Sequence, residues 1–168
     1  KKIISLISTI NIENLKKITK NNNIVRATPL PPIEINKGPI VICPPNKSAK
    51  SLFKHLGLVI EINNEKLSYK FWSTASIMAA YYELLNISAG WLIKKGIKKK
   101  LANQYISELF LSLSQDAVNK RSQGFKKLVA DSQTPKGLNE QALKELKRDK
   151  FYSKFIKALE NINKRVSK

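Results

Sequence analysis

Arginine is scarce in this sequence, although positive charge is not. Of 31 basic residues only four are arginines (Arg26, Arg121, Arg148 and Arg165), against 12 acidic residues and a net charge of +19. Nucleic-acid recognition favours arginine, whose planar fork meets phosphates and base edges at two points. The lysines are instead spread along the whole chain among Ile and Asn, as on solvated faces, and no nucleic-acid partner is expected. Cysteine is nearly absent. Cys43 stands alone, which excludes an internal disulfide and suits a reducing, cytoplasmic compartment. Within the apolar run PIVICPP it reads as a small buried hydrophobe. His55 is the single histidine and has no Cys, Asp or Glu at ligand spacing. No metal site is therefore expected, and a Ser-His-Asp triad lacks its supporting motif. No strand leads into a G-x-G-x-x-G turn anywhere in these residues.

Membrane signals are missing as well. The N-terminal KKIISLISTINI has no small-residue cleavage site and reads into a capped helix. The apolar stretch Phe71–Ile93 carries a single charge, Glu83, but also Ser73, Thr74, Ser76, Asn86 and Ser88, which a lipid-facing helix disfavours. A helix apolar nearly all round must be covered by protein. In a chain of 168 residues the expected cover is a second subunit.

What is present falls into two parts. Short Ile-rich runs at Ile3–Ser8, Ile24–Ala27, Pro39–Cys43 and Leu58–Ile62 predict four strands. Helical spacing at Asn11–Ile18 and a Gly57-terminated helix from Asn46 lie between them, and TPLPPIEINKG is too proline-rich for a central strand. Strand and helix alternating at this density mean an α/β unit. Four strands and two helices complete only the far half of a dinucleotide-binding fold, so a longer polypeptide is expected. From Asn64 onward the strand signal ends. One long helix is predicted through Lys95, another over 99–118, a loop over Leu128–Gly137, a short helix over Asn139–Arg148 and a last one over Phe151–Val166. The expected domains are 1–63 and 64–168.

The turn Thr134-Pro135-Lys136-Gly137 runs directly into the helix at Asn139. Two readings stand open: a well-capped loop, or a site for an anion, because the first amides of a helix have no internal partner.

These segments together resemble the pyrroline-5-carboxylate reductase family. IVRATPLPPIEINKGPIVI is similar to the family's V-R-A-M-P-N-T-P segment through Val25, Arg26, Ala27, Pro29, Pro32 and Gly38. EKLSYKFWSTASIMAAYYELL occupies the place of its long dimerisation helix. QTPKGLNEQAL stands where the family has S-P-G-G-T-T and the following helix. The resemblance implies the end of a Rossmann domain followed by an all-α dimerisation domain, a homodimer that can assemble further, and, with NADP or NAD as coenzyme, hydride transfer from its reduced form to a small cyclic imine carboxylate in proline synthesis. It further implies that Thr134, Pro135, Lys136, Gly137, Leu138 and Asn139 hold the substrate carboxylate, with Asn139 nearest the chemistry. Ser8, Thr9, Arg26, Thr28 and Pro29 then lie at the coenzyme's nicotinamide end.

Three segments depart from the family pattern. In the turn its paired threonines are Leu138 and Asn139 and its first glycine is Lys136; its glycine-rich entry to the dimer helix is Thr74-Ala75-Ser76-Ile77-Met78-Ala79; and the Asn of its P-N-T-P turn is Leu30. A non-catalytic dimerising paralogue of the same fold is therefore a second reading, and a basic nucleic-acid-binding helical module a less favoured third.

Overall fold

Three asparagines open the helices of the first half. Asn11, Asn46 and Asn64 each accept an N–H from the first turn that follows, from Asn14 at 2.8 Å, Ala49 at 3.1 Å and Lys66 at 2.9 Å, the usual way to satisfy an orphan helix donor. The computed structural model describes residues 1–7 and 9–167. Its elements run β1 (Ile3–Ser5), α1 (Ile12–Thr19), β2 (Ile24–Thr28), a 3-10 turn (Pro31–Ile35), β3 (Pro39–Cys43), α2 (Lys47–Phe53) and β4 (Leu58–Glu61). Then come α3 (Glu65–Ala75), α4 (Met78–Lys94), α5 (Lys99–Asn119), α6 (Phe125–Asp131), α7 (Leu138–Arg148) and α8 (Phe151–Val166), with a 3-10 turn at Arg121–Gln123. An α/β beginning thus gives way to helices alone. The chain divides into two compact units, Lys1–Ser76 with Leu159–Lys168, and Ile77–Ala158.

The first unit is built on one mixed sheet in the order β1-β2-β3-β4. β1 and β2 are parallel, as are β3 and β4, and each pair is joined through a helix. β2 and β3 are antiparallel, with Ala27 opposite Ile42. Their connection is the proline-rich segment, which offers no crossover helix, so the chain turns back. Period-two alternation then sorts the side chains. Val25, Ala27, Ile40 and Ile42 face one side and pack on Ala49 and Phe53 of α2. Val41 and Cys43 cluster with Ile62 on the other; Arg26 and Thr28, offset by one residue from Ala27, share that second face. Gly57 makes room where β4 begins: a Cβ there would come within 2.4 Å of the Gly38 carbonyl, which accepts the Leu58 N–H at 2.9 Å.

Three expectations need correction. The stretch Phe71–Ile93 is not one helix but the end of α3 and most of α4, interrupted at Ser76 and Ile77. Hydroxyls crowd the break: Thr74 donates to the Phe71 carbonyl at 2.8 Å, Ser73 to Tyr69 at 2.7 Å and Ser76 to Ser73 at 2.6 Å. Such back-bonding offers helix carbonyls a competing donor. The strand expected over Ile3–Ser8 ends at Ser5, and the loop expected from Leu128 begins only after α6, at Ser132.

In the second unit α4 and α5 pack through Ala89, Ala102 and Ile106, with Leu85, Leu92 and Phe110 partly covered. Two of the three buried residues are alanines, so the helices approach closely but bury little. Tyr82, Trp91, Leu101, Tyr105 and Leu113 on the same helices are all more than half exposed.

Candidate functional site

The loop entering α7 is shaped by its own short-range contacts. Pro135 and Lys136 form the middle of a turn closed by the Gly137 N–H donating to the Thr134 carbonyl at 2.8 Å. Lys136 sits at φ +62°, in the left-handed region where a side chain is disfavoured. Gly137 has ordinary φ but no space: a Cβ would lie 2.2 Å from the Thr134 hydroxyl oxygen and 2.9 Å from its carbonyl oxygen. The absent side chain therefore lets Thr134 fold against the helix start.

Two side chains complete the loop. Asn139 donates from Nδ2 to the Ser132 carbonyl at 2.9 Å, tying the helix start to the chain before the turn. Glu140 accepts the Lys136 N–H at 2.7 Å and is ion-paired with Lys144 at 2.7 Å. The Lys144 contact, then the Lys136 amide, hold the Glu140 carboxyl below its ordinary range. A carboxylate thus already sits at the mouth of α7, where the dipole is positive. Thr134, Pro135, Lys136, Leu138 and Asn139 are exposed, and Gly137 is half-buried. All six expected substrate residues are contiguous on this loop in the second unit.

The expected coenzyme residues belong to the first unit. Ser8 lies outside the described residues, and Thr9 is exposed in the connection before α1. Arg26 is only 3% exposed. It is ion-paired through Nη1 with Glu65, donates from Nη2 to the Ile7 carbonyl at 3.2 Å, and lies under the Trp72 ring with 4.7 Å between its Cζ and the ring centroid. Thr28 is half-buried and accepts the Trp72 indole N–H at 3.0 Å; Pro29, also half-buried, follows it. Beside them opens a cavity of about 260 Å³ lined by Thr28, Leu30, Val41, Ile60, Phe71 and Trp72, among others.

Glu65 and Trp72 are the residues that sequence reasoning missed. They lie two helical turns apart on one face of α3, and only their distant partners Arg26 and Thr28 give them a role. Close by, burial pushes the Cys43 thiol up; the Glu65 carboxylate acts the same way and Arg26 opposes it. Among the described residues no cluster of three or more His, Cys, Asp or Glu is placed to hold a metal ion, and no helix is long and apolar enough to cross a membrane.

Known proteins bear on both units. The family description "Pyrroline-5-carboxylate reductase dimerisation" matches residues 70–168. A Plasmodium falciparum pyrroline carboxylate reductase solved with NADP bound superposes with a TM-score of 0.84 at 22% identity, over 99% of this chain and 66% of that one. A Coxiella burnetii pyrroline-5-carboxylate reductase gives 0.85 at 24%, over 98% and 64%. The Streptococcus pyogenes enzyme gives 0.81 at 19%, over 99% and 68%. At such identities the likeness is one of fold, and the chain spans about two-thirds of each relative's length. Comparison with curated proteins finds no match.

Proposed function

Because the chain belongs to the pyrroline-5-carboxylate reductase family, as its match over residues 70–168 establishes, we propose that it is the dimerising, substrate-side part of an oxidoreductase. The reaction is reduction of a small cyclic imine carboxylate in proline synthesis. When bound, NADPH or NADH would supply the hydride, and the residues of this chain bind and orient. Cytoplasmic localisation goes with this reading.

The residues of the first unit suit a flat uncharged ring better than a phosphate. The cavity wall is apolar apart from hydroxyls such as Thr28, and the guanidinium of Arg26 is buried against Glu65 and Trp72. This is what the nicotinamide end requires of Thr28 and Pro29, and Thr9 is assigned with them. Ser8 is kept in the same proposed group.

In the second unit the substrate carboxylate is proposed to meet the amides of Leu138 and Asn139 at the start of α7, with Thr134 and Lys136 flanking it. Pro135 and Gly137 hold the turn. Asn139 spends its Nδ2 on Ser132, which leaves Oδ1 to accept from a protonated ring nitrogen. It orients the ring and relays no proton.

The homodimer is proposed from the large exposed side chains of α4 and α5, since apolar area of this extent on a monomer marks a contact surface. A depression of about 420 Å³ along these helices, lined by Leu85, Asn86, Ala89, Ile93, Asn103 and Ile106 among others, is where a partner helix would seat.

The test is NAD(P)H oxidation by the full-length polypeptide with pyrroline-5-carboxylate, alongside its mass in solution. Turnover by a dimer supports the proposal. A dimer that neither binds NAD(P)H nor turns over supports the second reading, a non-catalytic paralogue. One observation favours that reading: Glu140 already occupies an amide of the loop that should receive the substrate.

A further inference from the structure

Among the described residues the first unit contains one ion pair turned inward, and its surroundings give it more to do than hold two charges. Arg26 on β2 and Glu65 at the first turn of α3 have side chains 4% and 21% exposed. From this pair contacts run to both ends of the connection between β1 and α1. Arg26 Nη2 donates to the Ile7 carbonyl at 3.2 Å. Both oxygens of Glu65 accept the Ile12 N–H, at 2.9 and 3.1 Å. Trp72, two turns from Glu65 on the same face of α3, covers the guanidinium and donates its indole N–H to Thr28 at 3.0 Å. Parts of the chain far apart in sequence, Ile7 and Ile12, Arg26, and Glu65, are thus pinned to one another by a charged group and its counterion, with Trp72 extending the contact to Thr28.

We propose that Arg26 and Glu65 are positioning residues that fix the backbone on either side of Thr9, and through Trp72 the hydroxyl of Thr28, in the arrangement that receives the coenzyme. The proposal rests on the reductase reading for the coenzyme, but the clamp itself does not. Physical chemistry gives a reason to expect geometry rather than stability from such a pair. Desolvating two charges offsets most of their attraction, so two well-packed apolar residues would hold the fold as firmly. They would not hold a carbonyl at Ile7 and an amide at Ile12. Ile12 is the first residue of α1, whose N–H has no partner within the helix. Glu65 therefore acts with the Asn11 cap in determining how α1 is entered.

Removing one partner alone strands a buried charge and risks the fold, so the decisive variant removes both. The full-length polypeptide carrying Arg26→Met with Glu65→Leu is compared with wild type in three measurements: thermal unfolding, hydrogen exchange at the Ile12 amide, and the dissociation constant of NADPH and NADH. The double variant should unfold within a few degrees of wild type, exchange Ile12 roughly ten- to a hundredfold faster, and bind coenzyme weaker by a similar factor. The KM for the imine carboxylate should stay near its wild-type value, because the substrate loop is untouched. The conservative single variant Glu65→Gln retains one acceptor oxygen for Ile12 and should fall between. Unchanged Ile12 exchange in the double variant would overturn the clamp. Faster exchange with unchanged coenzyme affinity would overturn its positioning role. Wild-type protein that binds neither coenzyme would fail the reductase reading instead, while Ile12 exchange would still decide the clamp.

Discussion

In the unit Lys1–Ser76 with Leu159–Lys168, alternating strand residues meet a helix on one face: Ile40, Ile42 and Ala49 lose all solvent contact, and Val25 and Phe53 nearly all. In the unit Ile77–Ala158 the longest helices of the chain bury only Ala89, Ala102 and Ile106, while Trp91, Tyr105 and Leu101 stand more than half exposed. The first unit closes one sheet face over a compact core, although Leu6, Ile18, Ile35, Leu52 and Leu58 stay more than half exposed. The second carries its apolar surface outward, with too little core to explain helices of such length. Burial of apolar area is the main favourable term in folding, so the second unit's missing burial is supplied, in the proposed homodimer, by another copy of the same face. The contrast extends to polar groups. One ion pair of the first unit, Arg26–Glu65, is turned inward, beside the exposed Lys17–Glu13 pair, whereas Lys120–Asp116 and Lys127–Asp131 in the second are exposed and span one helical turn.

The sharpest way to break this comparison is to cut into the first core. Ile42→Ala should lower unfolding stability by about 2–5 kcal/mol, read from urea denaturation, and leave the oligomeric mass unchanged. A shift to monomer instead would mean that the first unit also depends on the partner.

Next in size is Trp91→Glu in the second unit. It should weaken self-association by about 2 kcal/mol or more, moving light-scattering mass towards the monomer at micromolar concentration, with the first unit's helix and strand signal intact. A dimer of unchanged affinity would place the interface elsewhere.

The substrate loop offers a smaller effect and a test of shape against charge. Gly137→Val must displace Thr134 and should cost about 1–3 kcal/mol locally; it should also weaken carboxylate-ligand binding more than Lys136→Ala does. Lys136→Gly, relieving a positive φ, should stabilise the protein by about 1 kcal/mol. Reversal of the Val and Ala effects in calorimetric titration would mean that charge rather than backbone holds the ligand.

The smallest effect is a pH dependence. Lys144 and the Lys136 amide depress the Glu140 carboxyl in the folded chain. A depressed folded value contributes stability above the unfolded carboxylate range, and that contribution is lost as pH falls through the folded value. The Lys136 amide resonance should therefore shift on acidification, at a midpoint below that of an ordinary glutamate. A midpoint at or above the ordinary value would remove the contact from the solution structure.

Local pattern made much of this legible. The run PIVIC is the strand Pro39–Cys43, and the spacing of Phe155, Ile156, Leu159 and Ile162 belongs to the helix Phe151–Val166. The order of motifs pointed to the family that the match over 70–168 establishes. The break at Ser76 was hidden because apolar residues continue through it, and only the hydroxyl contacts of Ser73, Thr74 and Ser76 explain it. The loop at Gly137 was legible as a turn before a helix. That Thr134 fills the space over Gly137, and that Glu140 occupies the turn's amide, was not, since both depend on side-chain direction.

Periodicity and turn chemistry, which act over a few residues, were enough to divide this chain into an α/β beginning and a helical remainder and to seat a tight turn before α7. The pairing of Arg26 with Glu65, the antiparallel return of β3 and the poverty of the second unit's core depend on which distant residues meet. That is settled only when loop closure and burial are satisfied together, because neither quantity is carried by any one segment.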